Sequence, residues 1–164
     1  KNADDTKWQS MNITEVNKYG IDFTSKVFLK EVFSFLPTNA LLELDYSYLT
    51  EDQVKNEYIS SYVLNYLKHK ITAKLYLPMF NERFSTTISL KYCKRRGEFI
   101  SYASSTPTKT SYKPFAIVDV DFNYKVSKFD FYVNLNNIFN KEYYDIGNVP
   151  QNKFWLIGGI KFSL

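Results

Sequence analysis

The sequence has very few of the residues that most enzymes use for metal or nucleophilic chemistry. It contains one cysteine, Cys93, and one histidine, His69, in 164 residues. A single cysteine cannot form an internal disulfide, and a single histidine disfavours a multi-histidine metal site or a serine–histidine–aspartate relay. We therefore expect no enzymatic activity and no cofactor. Cys93 is expected to be an inert strand residue, and His69 to lie at the rim of a sheet rather than to bind a ligand.

Glycine, proline and long apolar runs are scarce as well. There are 5 glycines and 5 prolines, and no glycine-rich phosphate loop. The pair Gly158-Gly159 lies inside a strand pattern, where it is expected to ease packing or bending. No apolar run is long enough for a membrane helix. The net charge of +4 is dispersed along the chain, which disfavours a nucleic-acid partner.

Aromatic residues are abundant, at 18% of the chain, with 14 Tyr and 14 Phe. This composition favours strands. Seven segments alternate between apolar and polar residues with a period of two, which predicts an antiparallel all-β fold. The predicted strands are 19–33, 40–49, 68–77, 84–92, 116–126, 129–136 and 154–164.

The length and chemistry of these segments suggest a membrane. About ten residues per segment suits a tilted strand that crosses a bilayer, whereas soluble strands are usually shorter. The mean hydropathy of −0.34 does not oppose this reading, because only alternate residues of such a strand need to be apolar. Tyr46, Tyr48, Tyr92 and Tyr124 lie near the ends of apolar faces, where a membrane protein places aromatic rings at the lipid–water interface. A soluble sheet with one wet face, and ordinary cross-strand ring pairing, are the alternatives.

The links between the predicted strands alternate strictly in length. Links 34–39, 78–83 and 127–128 are short, and links 50–67, 93–114 and 138–153 are long. Outer-membrane barrels have this asymmetry, with tight periplasmic turns and long extracellular loops. A soluble sandwich has no reason to sort its loops in this way. The pattern predicts a transmembrane β-barrel.

The last forty residues carry a recognisable pattern. The segment 131–144, FYVNLNNIFNKEYY, is followed by Asp145-Ile146-Gly147-Asn148-Val149-Pro150-Gln151 and a strand that begins at Phe154-Trp155. This pattern resembles the penultimate and last strands of TonB-dependent outer-membrane receptors. Two upstream segments, 19–22 and 46–49, also resemble strands of that family, so the similarity extends over nearly the whole chain.

The resemblance implies a fold and a function. The family has a plugged barrel of about 22 strands, so residues 1–164 would be the C-terminal portion of that barrel, about a third of it. The first residues include neither an initiator Met nor a signal peptide, and we expect the chain to be a fragment or a processed product. The plug and the TonB-contacting segment would precede Lys1.

The resemblance also implies partners and an assembly signal. The intact receptor would take up a scarce nutrient such as cobalamin or an iron-siderophore. The sequence of residues 147–151 is closer to that of receptors for these nutrients than to that of glycan importers. Outer-membrane lipid and lipopolysaccharide would surround it. Ile160, Phe162 and Leu164 match the alternating apolar ending that the assembly machinery reads in this class, although the family commonly ends in Phe. The ligand-binding residues are not identified.

Two further clusters have more than one interpretation. Glu43 with Asp45, and Asp119 with Asp121, could suggest acid–base chemistry, but a spacing of two also fits the wet interior of a barrel. Basic residues at the end of the fourth strand could bind lipopolysaccharide phosphates or could be solvated. These are Lys91, Lys94, Arg95 and Arg96. For the whole chain, the alternatives are a complete small barrel with a structural or adhesive role and a soluble, lipocalin-like carrier.

Overall fold

The computed structural model describes residues 16–53, 66–102 and 106–163. Seven long strands form one antiparallel sheet in which each long strand lies beside the next one along the chain. The all-β prediction and the seven predicted strands are therefore confirmed. The strands of this sheet are β1 (Val16–Phe28), β2 (Leu41–Gln53), β3 (Leu67–Met79), β4 (Phe84–Arg95), β7 (Phe115–Val126), β8 (Phe129–Asn136) and β11 (Trp155–Phe162).

The pairing register brings the predicted apolar residues that lie within these strands onto one face of this sheet. A single row of paired residues crosses the seven strands on that face, and every member is aliphatic. In strand order the row is Val27, Leu42, Leu75, Ile88, Val120, Leu135 and Leu156. A slip of one residue could put a charged residue such as Glu43 of β2, Lys74 of β3 or Asp119 of β7 into the row, so the alternation in these strands favours the observed register.

The opposite face is polar and is linked by charge pairs and hydrogen bonds. Lys26 lies beside Glu43 with 2.7 Å between Nζ and Oε1. The Asp45 carboxylate accepts hydrogen bonds from the hydroxyls of Thr24 on β1 and Thr72 on β3, at 2.8 and 3.0 Å. We call the two sides of the large sheet the apolar face and the polar face.

The apolar face is open to the surroundings. Leu44, Ile88 and Phe131, from three different strands, are 37%, 37% and 40% exposed. The buried hydrophobic cluster of the described residues consists of Cys93, Phe115 and Ile117 instead, and it lies on the polar face near the long links. The large apolar face therefore does not form the packed centre of this structure.

The first strand is shorter than predicted. We expected it to reach Phe33, but β1 ends at Phe28 and a 3₁₀ turn follows at Leu29–Glu31. The amide of Leu29 donates to the carbonyl of Ala40 at 2.8 Å, which closes the link to β2, and both residues are buried. Phe28 and Leu41 are apolar residues at polar-face positions of their strands, and they pair with each other. Alternation within one strand does not show that two such residues are partners.

Successive links lie at opposite ends of the sheet, but the predicted alternation of short and long links does not hold for the first link, which is nearly as long as the one between β2 and β3. Two of the other links contain hairpins that we did not predict. The link from β4 to β7 contains β5 (Glu98–Ser101) and β6 (Thr108–Ser111), and the link from β8 to β11 contains β9 (Tyr144–Ile146) and β10 (Val149–Pro150). At the other end, β7 and β8 are joined by a tight turn in which Ser127 has φ 53°. The link from β1 to β2 occupies residues 29–40 rather than 34–39 because β1 ends early.

Aromatic side chains lie at both ends of the apolar face. Tyr48, His69 and Tyr92 are at the long-link end, where the Tyr48 and His69 rings are 5.1 Å apart. Phe129 and Phe162, 5.2 Å apart, are at the short-link end. On β4 the eight steps from Phe84 to Tyr92 span about 26 Å. Within the described residues, no strand pairs with the outer edge of β1 or of β11.

Candidate functional site

Two small hairpins at the long-link end pack against each other through aromatic rings. Phe99 on β5 lies 4.9 Å from the ring of Tyr112 and 6.1 Å from that of Tyr144 at the start of β9. Gly147, in the turn between β9 and β10, lies directly against Phe99. A Cβ at position 147 would be 2.5 Å from the Phe99 Cβ, so only glycine fits there without moving the backbone. The two hairpins therefore form one unit.

Polar contacts strengthen this docking. The amide of Gly147 donates to the Tyr112 hydroxyl at 2.9 Å, and the side-chain amide of Asn148 donates to the carbonyl of Ile100 at 2.5 Å. Arg95, the last residue of β4, forms an ion pair with Asp145 at 3.1 Å. This pair ties the second hairpin to the large sheet.

A cleft of about 650 Å³ lies between the two hairpins and the sheet. Its volume is in the range that is usual for small-molecule sites. Phe115 and Tyr143, with ring centroids 4.4 Å apart, provide its aromatic base. Burial raises the pKa of the Tyr143 phenol, and the nearby carboxylates of Asp119 and Asp145 add to this effect, so the phenol remains a neutral donor at physiological pH. The aromatic residues that line the cleft are Phe99, Tyr102, Tyr112, Phe115, Tyr143 and Tyr144.

Two of the three charged residues that line the cleft are positive. Lys113, Lys141 and Glu142 are its charged lining residues. Glu142 forms an ion pair with Lys153 at 3.1 Å, which lowers the pKa of its carboxyl. Within the described part of the chain, neither Lys113 nor Lys141 has an acidic partner within ion-pair distance. The cleft thus combines an aromatic base with two uncompensated ammonium groups.

Asn137 holds the last long link against the polar face. It is 3% exposed and has φ 50°, a left-handed conformation that Asn tolerates better than most residues. Its side-chain amide donates to the carbonyls of Lys141 and Asn152 at 2.7 and 3.1 Å, and its Oδ1 accepts from the amide of Lys141 at 2.8 Å. Its backbone amide donates to the Asp119 carboxylate at 2.7 Å. This network positions Tyr143 over Phe115.

The lone cysteine and the lone histidine lie apart. Cys93 is buried beside Phe115, below the cleft, as expected for a structural thiol. His69 is at the rim of the sheet, on the apolar face, and its Nδ1 lies 3.0 Å from the Tyr46 hydroxyl. Within the described ranges, no three His, Cys, Asp or Glu side chains are grouped so that they could hold a metal ion.

The carboxylate pairs are engaged in structural contacts. Glu43 and Asp45 bind Lys26 and two threonine hydroxyls, and Asp119 accepts the Asn137 amide. Three of the four carboxylates therefore hold strands or the last long link together.

The basic cluster is divided between the two faces. Lys91 lies on the polar face with its Nζ 5.9 Å from the Phe115 ring centroid, and Arg95 binds Asp145. Arg96 donates to the Tyr66 hydroxyl at 3.4 Å, which raises the pKa of its guanidinium. Lys94 is exposed and pairs in register with His69. Lys94 is therefore the residue of this cluster that lies at the outer end of the apolar face.

The terminal residues of the predicted assembly signal lie on the apolar face where they are described. Ile160 pairs with Phe131, and Phe162 pairs with Phe129; their side chains are 63% and 54% exposed. Leu164 lies outside the described residues. Gly159 of β11 lies under the Tyr132 ring on the polar face. A Cβ at position 159 would be 2.5 Å from the Tyr132 hydroxyl oxygen.

The cleft could not be predicted from the alternation pattern of the sequence. Its residues come from segments that looked like unstructured long links, and only Gly147 and the repeated aromatic residues of 112–115 and 143–144 hinted at packing there. Among the described residues there is no helix of the length and apolar character needed to cross a membrane. Comparison of the chain with protein-family models and with curated protein sequences gives no match.

Proposed function

We propose that this chain is part of an outer-membrane β-barrel of the TonB-dependent receptor class, and that the intact receptor takes up a scarce nutrient such as cobalamin or an iron-siderophore. The observation that carries the proposal is the continuous apolar face that crosses seven strands and stays exposed. A soluble sheet would cover such a face with a second layer, because sheets bury their apolar side. Within the described residues no such layer exists.

Hydrocarbon is the environment that suits this face. Ile21 is 67% exposed and Ile160 is 63% exposed, at opposite edges of the sheet. Transferring such side chains from water to an apolar phase is favourable by about 1.5–3 kcal/mol for each residue that becomes fully buried. Rings at both ends of the face, about 26 Å apart along β4, match the two aromatic girdles of a barrel wall.

The polar face and the links agree with the same orientation. The polar face holds Lys26, Glu43, Lys74 and Asp119 in one row of paired positions, which suits a water-filled or plugged interior. The long links, with the docked hairpins, would be extracellular, and the short turns would be periplasmic. The unpaired outer edges of β1 and β11 would pair with further strands of the barrel, because backbone groups inside a bilayer must be satisfied.

The class is supported by the resemblance of 131–155 to the last strands of TonB-dependent receptors. Asn137, which that pattern contains, has a structural role that explains why an Asn is needed there. Energy for uptake would come from TonB through the plug that the family places before the barrel. Ile160, Phe162 and Leu164 would act as the assembly signal.

Cell fractionation tests the location. We expect the protein in the outer-membrane fraction, and we expect the isolated chain to be insoluble without detergent and unmodified by heat on a denaturing gel, because two sheet edges are open. A monodisperse monomer without detergent would instead support a soluble carrier. A heat-modifiable band would support a complete small barrel.

Uptake tests the transport function. Deleting the gene should slow growth when cobalamin or chelated iron is the limiting nutrient. It should also abolish the energy-dependent uptake of the labelled nutrient, which is the part of the uptake that a protonophore abolishes in the wild type. A plasmid copy should restore both. Unchanged growth and uptake for cobalamin and for iron chelates would contradict the proposed nutrient class, while leaving the location to be judged by fractionation.

A further inference from the structure

We infer that the cleft between the two docked hairpins binds a small planar aromatic ligand that carries a negative charge. This inference rests on the proposed receptor function, and it adds a binding site and a chemical class of ligand. Six aromatic residues line the cleft, and its volume of about 650 Å³ is enough for a ligand with several rings.

The aromatic base selects flat ligands. Phe115 and Tyr143 form a tilted pair at 4.4 Å, and Phe99 lies 4.9 Å from Tyr112. Aromatic rings stack with offset or tilted geometry on other rings, so a planar ligand gains contacts here that an aliphatic ligand of equal volume does not. The rings are also held in position, because Asn137 fixes the Tyr143 segment and Gly147 fixes Phe99.

The lysines select negative charge. An aromatic cleft alone could also bind a cation through its ring faces. Here, however, Lys113 and Lys141 line the cleft without an acidic partner, while the single acidic lining residue, Glu142, is paired with Lys153. A bound cation would face two uncompensated ammonium groups, whereas an anion would neutralise them. Charge complementarity therefore favours an anionic ring system.

The docking of the hairpins makes the cleft a pre-formed site. The ion pair between Arg95 and Asp145 is only partly exposed, at 23% and 35% of the two side chains, and it joins the sheet to the second hairpin. The hydrogen bonds from Gly147 and Asn148 join the second hairpin to the first. A site that is already ordered loses less entropy on binding than a site that must first be assembled.

Three probes test the inference on the full chain in neutral phosphatidylcholine vesicles, by equilibrium dialysis against protein-free vesicles. They are 2-naphthoate, which is flat and anionic, 2-naphthylmethylammonium, which is flat and cationic, and cyclohexanecarboxylate, which is anionic without an aromatic ring. We expect 2-naphthoate to bind at least tenfold more tightly than either of the others. Equal binding of the three probes, or tighter binding of the cation, would overturn the inference.

Substitutions locate the binding. The double substitution Lys113→Gln with Lys141→Gln should weaken 2-naphthoate binding about five- to twentyfold, since each exposed charge contact contributes a small factor. Lys109→Gln is the matched control, because Lys109 lies on β6, in the same link as Lys113, but is paired with Glu98 at 2.8 Å and does not line the cleft. Unchanged affinity in the double variant, or equal loss in the control, would refute the site. Failure of these tests in a chain that still fractionates with the outer membrane would leave the proposed function intact.

Discussion

Asn137 and Gly159 depart from the alternating strand pattern, and their contacts in the fold explain why. Asn137 satisfies backbone groups from two places in the last long link while it adopts a left-handed conformation itself. Gly159 leaves room for the Tyr132 ring, above which the Lys161 ammonium lies at 5.1 Å. In both cases a local irregularity in a strand pattern serves a contact with a residue elsewhere in the fold.

Asn137→Ala should lower the free energy of unfolding by about 1–3 kcal/mol, because the buried Asn137 side chain would no longer hydrogen-bond to backbone groups of Lys141 and Asn152. Denaturant titration of the full chain in phosphatidylcholine vesicles measures this. Asn152→Ala is the control, since only the backbone carbonyl of Asn152 takes part in the network, and its effect should stay within about 0.5 kcal/mol. Equal effects of the two substitutions would show that the network does not stabilise the link.

Gly159→Ala should destabilise the chain by about 1–2 kcal/mol, because the added methyl group displaces the Tyr132 ring. Gly158→Ala should be nearly neutral, since its Cβ would meet no atom closer than 3.5 Å. The same denaturant titration in a Tyr132→Ala background should reduce the cost at position 159. A cost that is independent of Tyr132 would contradict the steric explanation.

At the scale of elements, the strands were predictable and the small hairpins were not. Alternation is a local property, so β4 and β7 could be found from their own residues, although β4 continues to Arg95, beyond its predicted end at Tyr92. β5 and β9 are short, and what stabilises them is the contact of Phe99 with Tyr144 and Gly147, residues far apart in sequence. The cleft could not be predicted for the same reason, because its residues meet only after the hairpins dock.

The ion pair of Glu142 and Lys153 gives the last long link a pH dependence. The pKa of Glu142 is lowered from 4.5 in the folded chain, first by the hydrogen bond to Lys153 and then by its charge. Its stabilising effect is therefore present above pH 4.5 and is lost as the pH falls through the lowered folded value. Both side chains are exposed, so the effect is small and salt-sensitive.

Hydrogen exchange of the amides in 141–153 checks this dependence. We expect faster exchange relative to the strands at pH 3 than at pH 6, after correction for intrinsic rates. In Glu142→Gln, or in 1 M salt, the difference between the two pH values should shrink. A difference of the same size in Glu142→Gln would assign the pH dependence to another group.

For the whole molecule, the proposed membrane location requires that the apolar face of the sheet meets lipid. The sequence indicated two chemically distinct flanks, and the pairing register joins them into two continuous faces with the apolar one exposed. What lies against that face depends on the surroundings of the chain. The proposed ligand would likewise be selected by side chains that meet only in the folded loops.

The most direct test compares two neighbouring residues of β4 in the full chain bound to lipid vesicles. In a Cys93→Ala background, a fluorescent thiol label is attached at Leu90→Cys, on the apolar face, or at Ser89→Cys, on the polar face. The label at position 90 should emit at shorter wavelength and be quenched by nitroxide lipids, whereas the label at position 89 should be quenched only from water. Equal quenching from water at both positions, or a label at position 90 that neither lipid nor water can reach, would contradict a lipid-facing sheet.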